Sequence, residues 1–175
     1  MDGHGHGTHV AGIVAANGGI KGIATNAGIV AVRVLDNSGG GYVDDLISGI
    51  DWCVNNAINF NITVISISLG CNVSIDGYTS YCDSINDGCG NLQIATSINS
   101  AITKNISVIA ATGNYGNSTA ISTPACIQNV TPVSSTTKSD TISIFSDRNS
   151  LVKLFAPGGD GTTIAGSINS TRWNP

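Results

Sequence analysis

The apolar residues of this chain fall into short runs that alternate with segments of helical periodicity. Ile29 to Leu35, reading IVAVRVL, and Val64 to Leu69, reading VISISL, have the composition of strands buried on both faces. Val108 to Ala111, Asn129 to Ser134 and Leu151 to Ala156 predict three further short strands. Because strands that alternate with helices join through right-handed crossovers, the pattern predicts an α/β fold with a mainly parallel sheet.

Three segments between these runs predict helices. Val10 to Ala16 is short and rich in small apolar residues, which is typical of a buried helix. Apolar residues recur at helical spacing from Leu46 to Ala57, after two acids, Asp44 and Asp45, that suit the first turn of a helix. A third helical stripe runs from Ile94 to Ile102.

Length and charge exclude several functions. A chain of 175 residues has room for one ordinary core, so we predict a single domain over residues 1–175. The net charge is -4 and the seven Lys and Arg residues are scattered, which argues against nucleic acid as a partner. No apolar run reaches the roughly 18 residues of a membrane-spanning helix, so we expect no membrane segment in this chain.

The cysteines point to an exported protein. Three of the five lie in one stretch, at Cys71, Cys82 and Cys89. This stretch, residues 71–90, is rich in Gly and Asp and lacks periodicity, so it is expected to be a loop insertion. No CxxC pair occurs, and local disulfides in an extracellular protein fit the pattern best. A cation is the less favoured alternative here, held by Asp76, Asp83 and Asp87.

Three unusual loops follow the first three predicted strands. They contain Gly39, Gly40 and Gly41, then Ser68, Leu69 and Gly70, then Thr112, Gly113 and Asn114. The carboxyl ends of parallel strands share one edge of a sheet, where such sheets bind ligands, so the coincidence predicts a cleft. Glycine allows an extended peptide to approach and pair as an added strand. The Asn114 amide could stabilise an oxyanion, although each loop alone is also typical of an ordinary turn.

Every histidine lies in the first nine residues, at His4, His6 and His9. Imidazoles at this spacing can converge on zinc, and a second interpretation is a set of turn residues. We favour a third, in which His6 is a general base at the edge of a cleft. His6 precedes a Gly-Thr turn and the helix expected to begin near Val10, an arrangement that would bury His9.

The string HGTHVAG, at His6 to Gly12, resembles the histidine motif of the subtilisin-like serine peptidases. VLDNSGGGY at Val34 to Tyr42 is similar to the substrate strand of that family, and ISLG at Ile67 to Gly70 to the wall of its specificity pocket. AATGN at Ala110 to Asn114 resembles the oxyanion motif, and FAPG at Phe155 to Gly158 the strand that leads toward the serine motif. The resemblance covers nearly the whole chain and implies a three-layer, doubly wound, mainly parallel α/β sheet.

The resemblance also implies a serine endopeptidase and a role for each matching residue. His6 would accept the proton of a nucleophilic serine and return it to the leaving amine, while Asn114 would donate to the tetrahedral oxyanion. The substrate backbone would lie between the segment Gly39, Gly40, Gly41 and the segment Ser68, Leu69, Gly70. The specificity pocket would be lined by Ala111, Thr112 and Gly113. The implied partners are protein or peptide substrates and a propeptide of its own.

The sequence departs from the family at two motifs. The five residues before His6 leave no room for the aspartate motif, and Asp2 matches a loop position instead. The serine motif, GTSMA or a near variant, does not occur before Pro175. We therefore expect these 175 residues to be the middle of a catalytic domain, truncated at both ends and inactive alone.

Two other functions are consistent with the sequence. A gene without the Asp or Ser motif would encode a peptide-binding pseudo-peptidase, and the histidine cluster could instead make a metal-binding protein. Calcium is common in relatives and is possible in the full-length protein. The stretch NGGIKGIATNAG after the histidine helix has no carboxylate and contains Lys21, so we assign no calcium site there. The Thr123-Pro124 bond lies where relatives can carry a cis proline.

Overall fold

A computed structural model describes residues 2–71, 77–163 and 166–171. Contacts between Cα atoms group these residues into two compact units. The first unit contains residues 2–49 and 169–171, and the second contains residues 50–71, 77–163 and 166–168. Each unit is described by itself.

The second unit is built on a parallel sheet of four strands in the order β1-β2-β3-β4. The strands are β1 (Val64–Ile67), β2 (Ser107–Ala111), β3 (Val130–Thr136) and β4 (Leu154–Pro157). All three neighbouring pairs are parallel, with Ile67 opposite Ala110 at the end of β1. The predicted α/β class and parallel sheet are confirmed, and the boundaries of these four strands agree with the predicted ones to within three residues.

Among the described residues, helices are assigned as α1 (His6–Ala15), α2 (Val43–Asn55), the one-turn α3 (Ala57–Phe60) and α4 (Asn91–Thr103). The apolar stripe of α4 is buried from Ile94 to Ala101, with Ile94 and Ile98 at most 1% exposed, whereas Ile102 at its end is 37% exposed. α4 leads from β1 to β2, which forms the predicted βαβ crossover. The acids Asp44 and Asp45 lie in the first turn of α2, as expected.

The prediction of a strand at Ile29 to Leu35 is wrong. No strand is assigned there, and Ile29 and Val30 are 49% and 40% exposed. Val32 and Val34 do lie against Gly49 of α2, so one face of the segment is packed. A strand also needs a neighbour for its N–H and C=O groups, and no described residue of this unit supplies a ladder.

Two disulfides hold the loop insertion. Cys71 pairs with Cys89, and Cys82 pairs with Cys126, while Cys53 is a buried thiol outside these pairs. The predicted disulfides are confirmed. Asp76, one of the three carboxylates considered for a cation, lies outside the described residues.

Backbone hydrogen bonds also join the insertion to the segment before β3. Tyr78 and Ile121 exchange N–H to C=O bonds of 2.9 and 3.0 Å. The adjacent Thr123-Pro124 peptide bond is cis. Within the described ranges, no helix combines the length and hydropathy that crossing a bilayer requires.

Candidate active site

A cavity of about 270 Å³ opens at the carboxyl ends of the four strands in the second unit. Because β1 and β2 are parallel and Ile67 lies opposite Ala110, the residues that follow these strands emerge side by side. The described residues that line the cavity carry no charged side chain. The cavity is therefore a neutral pocket at the edge where the sequence predicts a cleft.

Seven of the site residues expected from the resemblance lie in the second unit, and five of them line this cavity. They are Ser68, Ala111, Thr112, Gly113 and Asn114. Leu69 and Gly70 are not among the lining residues, and Gly70 lies instead against Ser122. The structure thus brings together the loops after the second and third predicted strands.

The loop after β2 holds Asn114 in a defined backbone frame. Thr112 is 1% exposed, and its N–H and C=O groups bond to Val133 O and Ser122 N at 3.1 and 2.8 Å. Gly113 follows at φ +118, where a side chain would be strained and would also clash with Asp147 and Ser122. Asn114 comes next and is exposed at the cavity, so its amide is accessible to a ligand.

Sequence reasoning missed the serines that form another wall of the cavity. Ser134 and Ser135 line it from β3, and Ser146 lines it from the loop before β4. The hydroxyls of Ser134 and Ser146 are 2.8 Å apart, and Ser146 Oγ accepts the Ser135 N–H at 2.7 Å. The carboxyl-edge rule applies to β3 as well and would have found Ser134 and Ser135. Ser146 carries no comparable sequence signal.

His6 lies in the first unit, as the first residue of α1. The prediction that this helix begins near Val10 and buries His9 is wrong, because the helix begins four residues earlier and His9 is exposed. Gly5 is the N-cap residue, in a left-handed conformation at φ 92, and glycine has no side-chain acceptor for the N–H groups of the first turn. The capping acceptor must therefore come from elsewhere.

Asp2 supplies that acceptor. Its carboxylate accepts the N–H groups of His4, Gly5 and Thr8 at 3.1, 2.8 and 2.7 Å, and the Thr8 hydroxyl at 2.8 Å. The N–H of Gly5 and then the N–H and hydroxyl of Thr8 hold the pKa of Asp2 well below its usual value. The Asp2 carboxylate thus fixes the turn from which the His6 side chain projects.

Replacing Asp2 by alanine is expected to loosen the first turn of α1. The Thr8 amide should exchange with solvent on the order of tenfold faster at neutral pH, because it loses its acceptor. The pKa of Asp2 is lower in the folded state than its ordinary 3.8, so its contribution to stability is present above that pH. The contribution is lost as the pH falls through the lowered value.

Amide exchange followed by NMR measures this effect directly. Asp51→Ala, on α2, is the matched control and should leave the Thr8 amide unchanged. A Thr8 exchange rate that is the same in Asp2→Ala and wild type would contradict the assigned cap.

The glycine loop expected to bind substrate lies near the histidines within the first unit. Asp36 closes this loop by accepting the N–H groups of Ser38 and Gly40 at 2.8 and 3.1 Å. Gly39 has φ +83, and a Cβ there would lie 2.9 Å from Nε2 of His4. The His4 and His6 rings are 6.4 Å apart between centroids, so His6 and the loop share one neighbourhood.

The sequence also allowed the three histidines to form a metal centre. Over the described ranges, no group of three or more His, Cys, Asp and Glu side chains is placed to hold a metal ion. The three histidines lie on and before the first turns of one helix, with His9 exposed. The general-base interpretation of His6 remains the favoured prediction.

Comparison with known proteins defines the class. Residues 1–174 match the sequence model of the Subtilase family. Thermitase of Thermoactinomyces vulgaris is 40% identical over 162 residues, covering 90% of this chain and 50% of that protein. The minor extracellular protease Epr of Bacillus subtilis (strain 168) is 36% identical over 165 residues, covering 93% of this chain and 22% of that protein.

Solved structures agree with the sequence comparison. A cold adapted subtilisin-like serine proteinase superposes with a TM-score of 0.72 at 36% identity, covering 90% of this chain and 50% of that one. The chain belongs to the Subtilase family. It spans half or less of the length of these curated relatives. The fold and family expected from the HGTHVAG, ISLG and AATGN motifs are therefore confirmed.

Proposed function

We propose that this chain contributes the general base and the oxyanion donor of a serine endopeptidase. One observation carries the proposal: Ser68 and the loop that ends in Asn114 line a single cavity at the carboxyl edge of the sheet. The chain belongs to the Subtilase family, and HGTHVAG at His6 to Gly12 resembles the histidine motif of that family. A neutral cleft beside an amide donor suits a peptide carbonyl, which is uncharged until it is attacked.

In the proposed reaction, a serine hydroxyl attacks the carbonyl carbon of the scissile peptide bond. His6 accepts the hydroxyl proton, and the carbonyl oxygen becomes an oxyanion to which the Asn114 amide donates a hydrogen bond. When the C–N bond breaks, His6 gives its proton to the leaving amine. Water then repeats the attack on the acyl-enzyme, with His6 again as the base.

Substrate would bind as an extended strand. Gly39, Gly40 and Gly41 form one proposed edge, and Ser68, Leu69 and Gly70 form the other, with backbone groups that can pair with the peptide. Ala111, Thr112 and Gly113 would line the pocket for the side chain next to the scissile bond. These three small residues line the cavity, and their size would leave the proposed pocket open to a side chain.

Two disulfides and the similarity to an extracellular protease of Bacillus subtilis support a secreted protein. Its proposed partners are protein substrates and its own propeptide, and residues 1–175 are proposed to belong to one catalytic domain. Neither nucleic acid nor a metal has a role in the proposed reaction.

The proposal predicts that these 175 residues are inactive without the nucleophile. The chain and the longest form that the gene encodes, called the full-length protein below, would be assayed on a denatured protein substrate. Only the full-length protein should cleave the substrate and react with a fluorophosphonate, which labels activated serines. Equal cleavage by both forms, or no cleavage by either, would contradict the proposal.

A further inference from the structure

Asp147 is a buried acid that the proposed reaction does not use. Its side chain and backbone are 1% exposed, and it lies in the loop before β4. Burial raises the pKa of its carboxyl group, while N–H groups of Asn117, Tyr115 and Gly116 oppose that shift. A buried carboxyl group in such a position is costly unless its hydrogen bonds serve a purpose in the structure.

The hydrogen bonds of Asp147 enclose Asn114. The N–H group of Asp147 donates to Gly113 O at 3.1 Å, and its Oδ1 accepts the Tyr115 N–H at 2.9 Å. Gly113 O belongs to the peptide group before Asn114, and the Tyr115 N–H belongs to the peptide group after it. One residue therefore fixes both peptide planes that meet at the Asn114 Cα.

The neighbours of Asp147 extend this attachment along the loop. Asp147 Oδ1 also accepts the Asn117 N–H at 2.8 Å, and Arg148 N donates to Asn117 O at 2.8 Å. Phe145 O accepts the Gly116 N–H at 2.7 Å. The whole turn from Gly113 to Asn117 is thus held by the segment that Asp147 occupies.

The conformation of Gly113 matches the same contact. Gly113 has φ +118 and no side chain, and a Cβ at this position would collide with the Asp147 carboxylate. The carboxylate consequently packs directly against the backbone of the turn. Ser134 Oγ donates to Asp147 O at 3.1 Å, which connects the acid to the wall of the cavity.

We propose that Asp147 is the positioning residue for Asn114: it holds the two peptide groups on either side of Asn114 so that the amide is aimed at the developing oxyanion. The inference rests on the proposed function of Asn114. Asp147 has no contact with substrate in this proposal and acts only through the backbone of the turn. Its essential feature is an acceptor oxygen at the position of Oδ1, because the N–H groups of Tyr115 and Asn117 both donate to that atom.

The test uses four variants of the full-length protein: Asn114→Ala, Asp147→Ala, Asp147→Asn and the Asn114→Ala/Asp147→Ala double variant. Asp147→Ala should lower kcat by about 10- to 100-fold with little change in KM, because a small displacement of a group that acts in the transition state reduces the rate steeply. Asp147→Asn should retain most of the activity, since its amide oxygen can replace Oδ1. Asp147→Ala should cause no further loss when Asn114 is already alanine.

Several results would overturn the inference. In one, the losses from Asn114→Ala and Asp147→Ala multiply in the double variant. In another, Asp147→Asn is as inactive as Asp147→Ala. If Asp147→Ala does not fold, Asp147→Ser takes its place in the cycle, and failure of both to fold would show a general role in stability instead. Asn114→Ala alone tests the proposed function, because an unchanged kcat there removes that function whatever Asp147 does.

Discussion

Replacing His6 by alanine in the full-length protein is expected to lower kcat by about 10⁶-fold. Without the His6 imidazole, the proposed reaction has no group that accepts the serine proton and none that returns a proton to the leaving amine. Substrate binding should change little, because the proposed contacts with the peptide backbone come from the Gly39 loop and the Ser68 segment. Steady-state kinetics on a chromogenic peptide would measure both constants.

His9→Ala is the matched control for this loss. His9 lies three residues further along α1 and its side chain is exposed, so its removal should leave kcat close to that of the wild type. Similar losses in the two variants would indicate a structural effect on the helix. A His6→Ala protein with wild-type activity would refute the assignment of the general base.

The second large effect is expected at Asn114. Alanine at this position should lower kcat by roughly 10²- to 10³-fold while KM stays nearly constant. The amide hydrogen bond strengthens as the carbonyl oxygen becomes an oxyanion, so its loss raises the barrier without weakening the bound substrate. The same kinetic assay separates the two constants.

Asn114→Asp sharpens this test because it preserves the shape of the side chain. A carboxylate cannot donate a hydrogen bond when ionised, and its charge opposes an oxyanion, so the loss should equal or exceed that of alanine. An active Asn114→Asp enzyme, or a variant that changes KM alone, would contradict the role of the amide as a donor.

Much of the sheet could be predicted from the sequence because its strands are short apolar runs between turn residues. Val64 to Ile67 and Ser107 to Ala111 are strands close to the predicted positions, and the stripe around Ile98 is buried on α4. Ile29 to Leu35 has the same composition but is not a strand in the structure. Composition reports burial and β propensity, whereas a strand also requires a hydrogen-bonding neighbour.

Part of the candidate site could be predicted from one rule, which is that the loops after parallel strands lie at the same edge of the sheet. This rule identified Ser68 and Asn114, which line one cavity. It could not identify Asp147, whose side chain bonds to backbone N–H groups 30 and 32 residues earlier in the chain. Backbone groups carry no sequence signal, so an acid that binds them resembles any loop residue. The early start of α1 was missed for a similar reason, since its cap comes from Asp2 rather than from the residue beside the helix.

The most direct test of the account is a crystal structure of the full-length protein with a peptide aldehyde bound. The adduct of a peptide aldehyde with the serine mimics the tetrahedral intermediate. In the proposed reaction the serine lies within hydrogen-bond reach of His6, and the oxyanion lies within reach of Asn114. Nε2 of His6 and Nδ2 of Asn114 must therefore lie within about 8 Å of each other. We predict that separation, with the aldehyde oxygen bound by the Asn114 amide. A structure that places the two side chains on opposite faces of the protein would contradict the account.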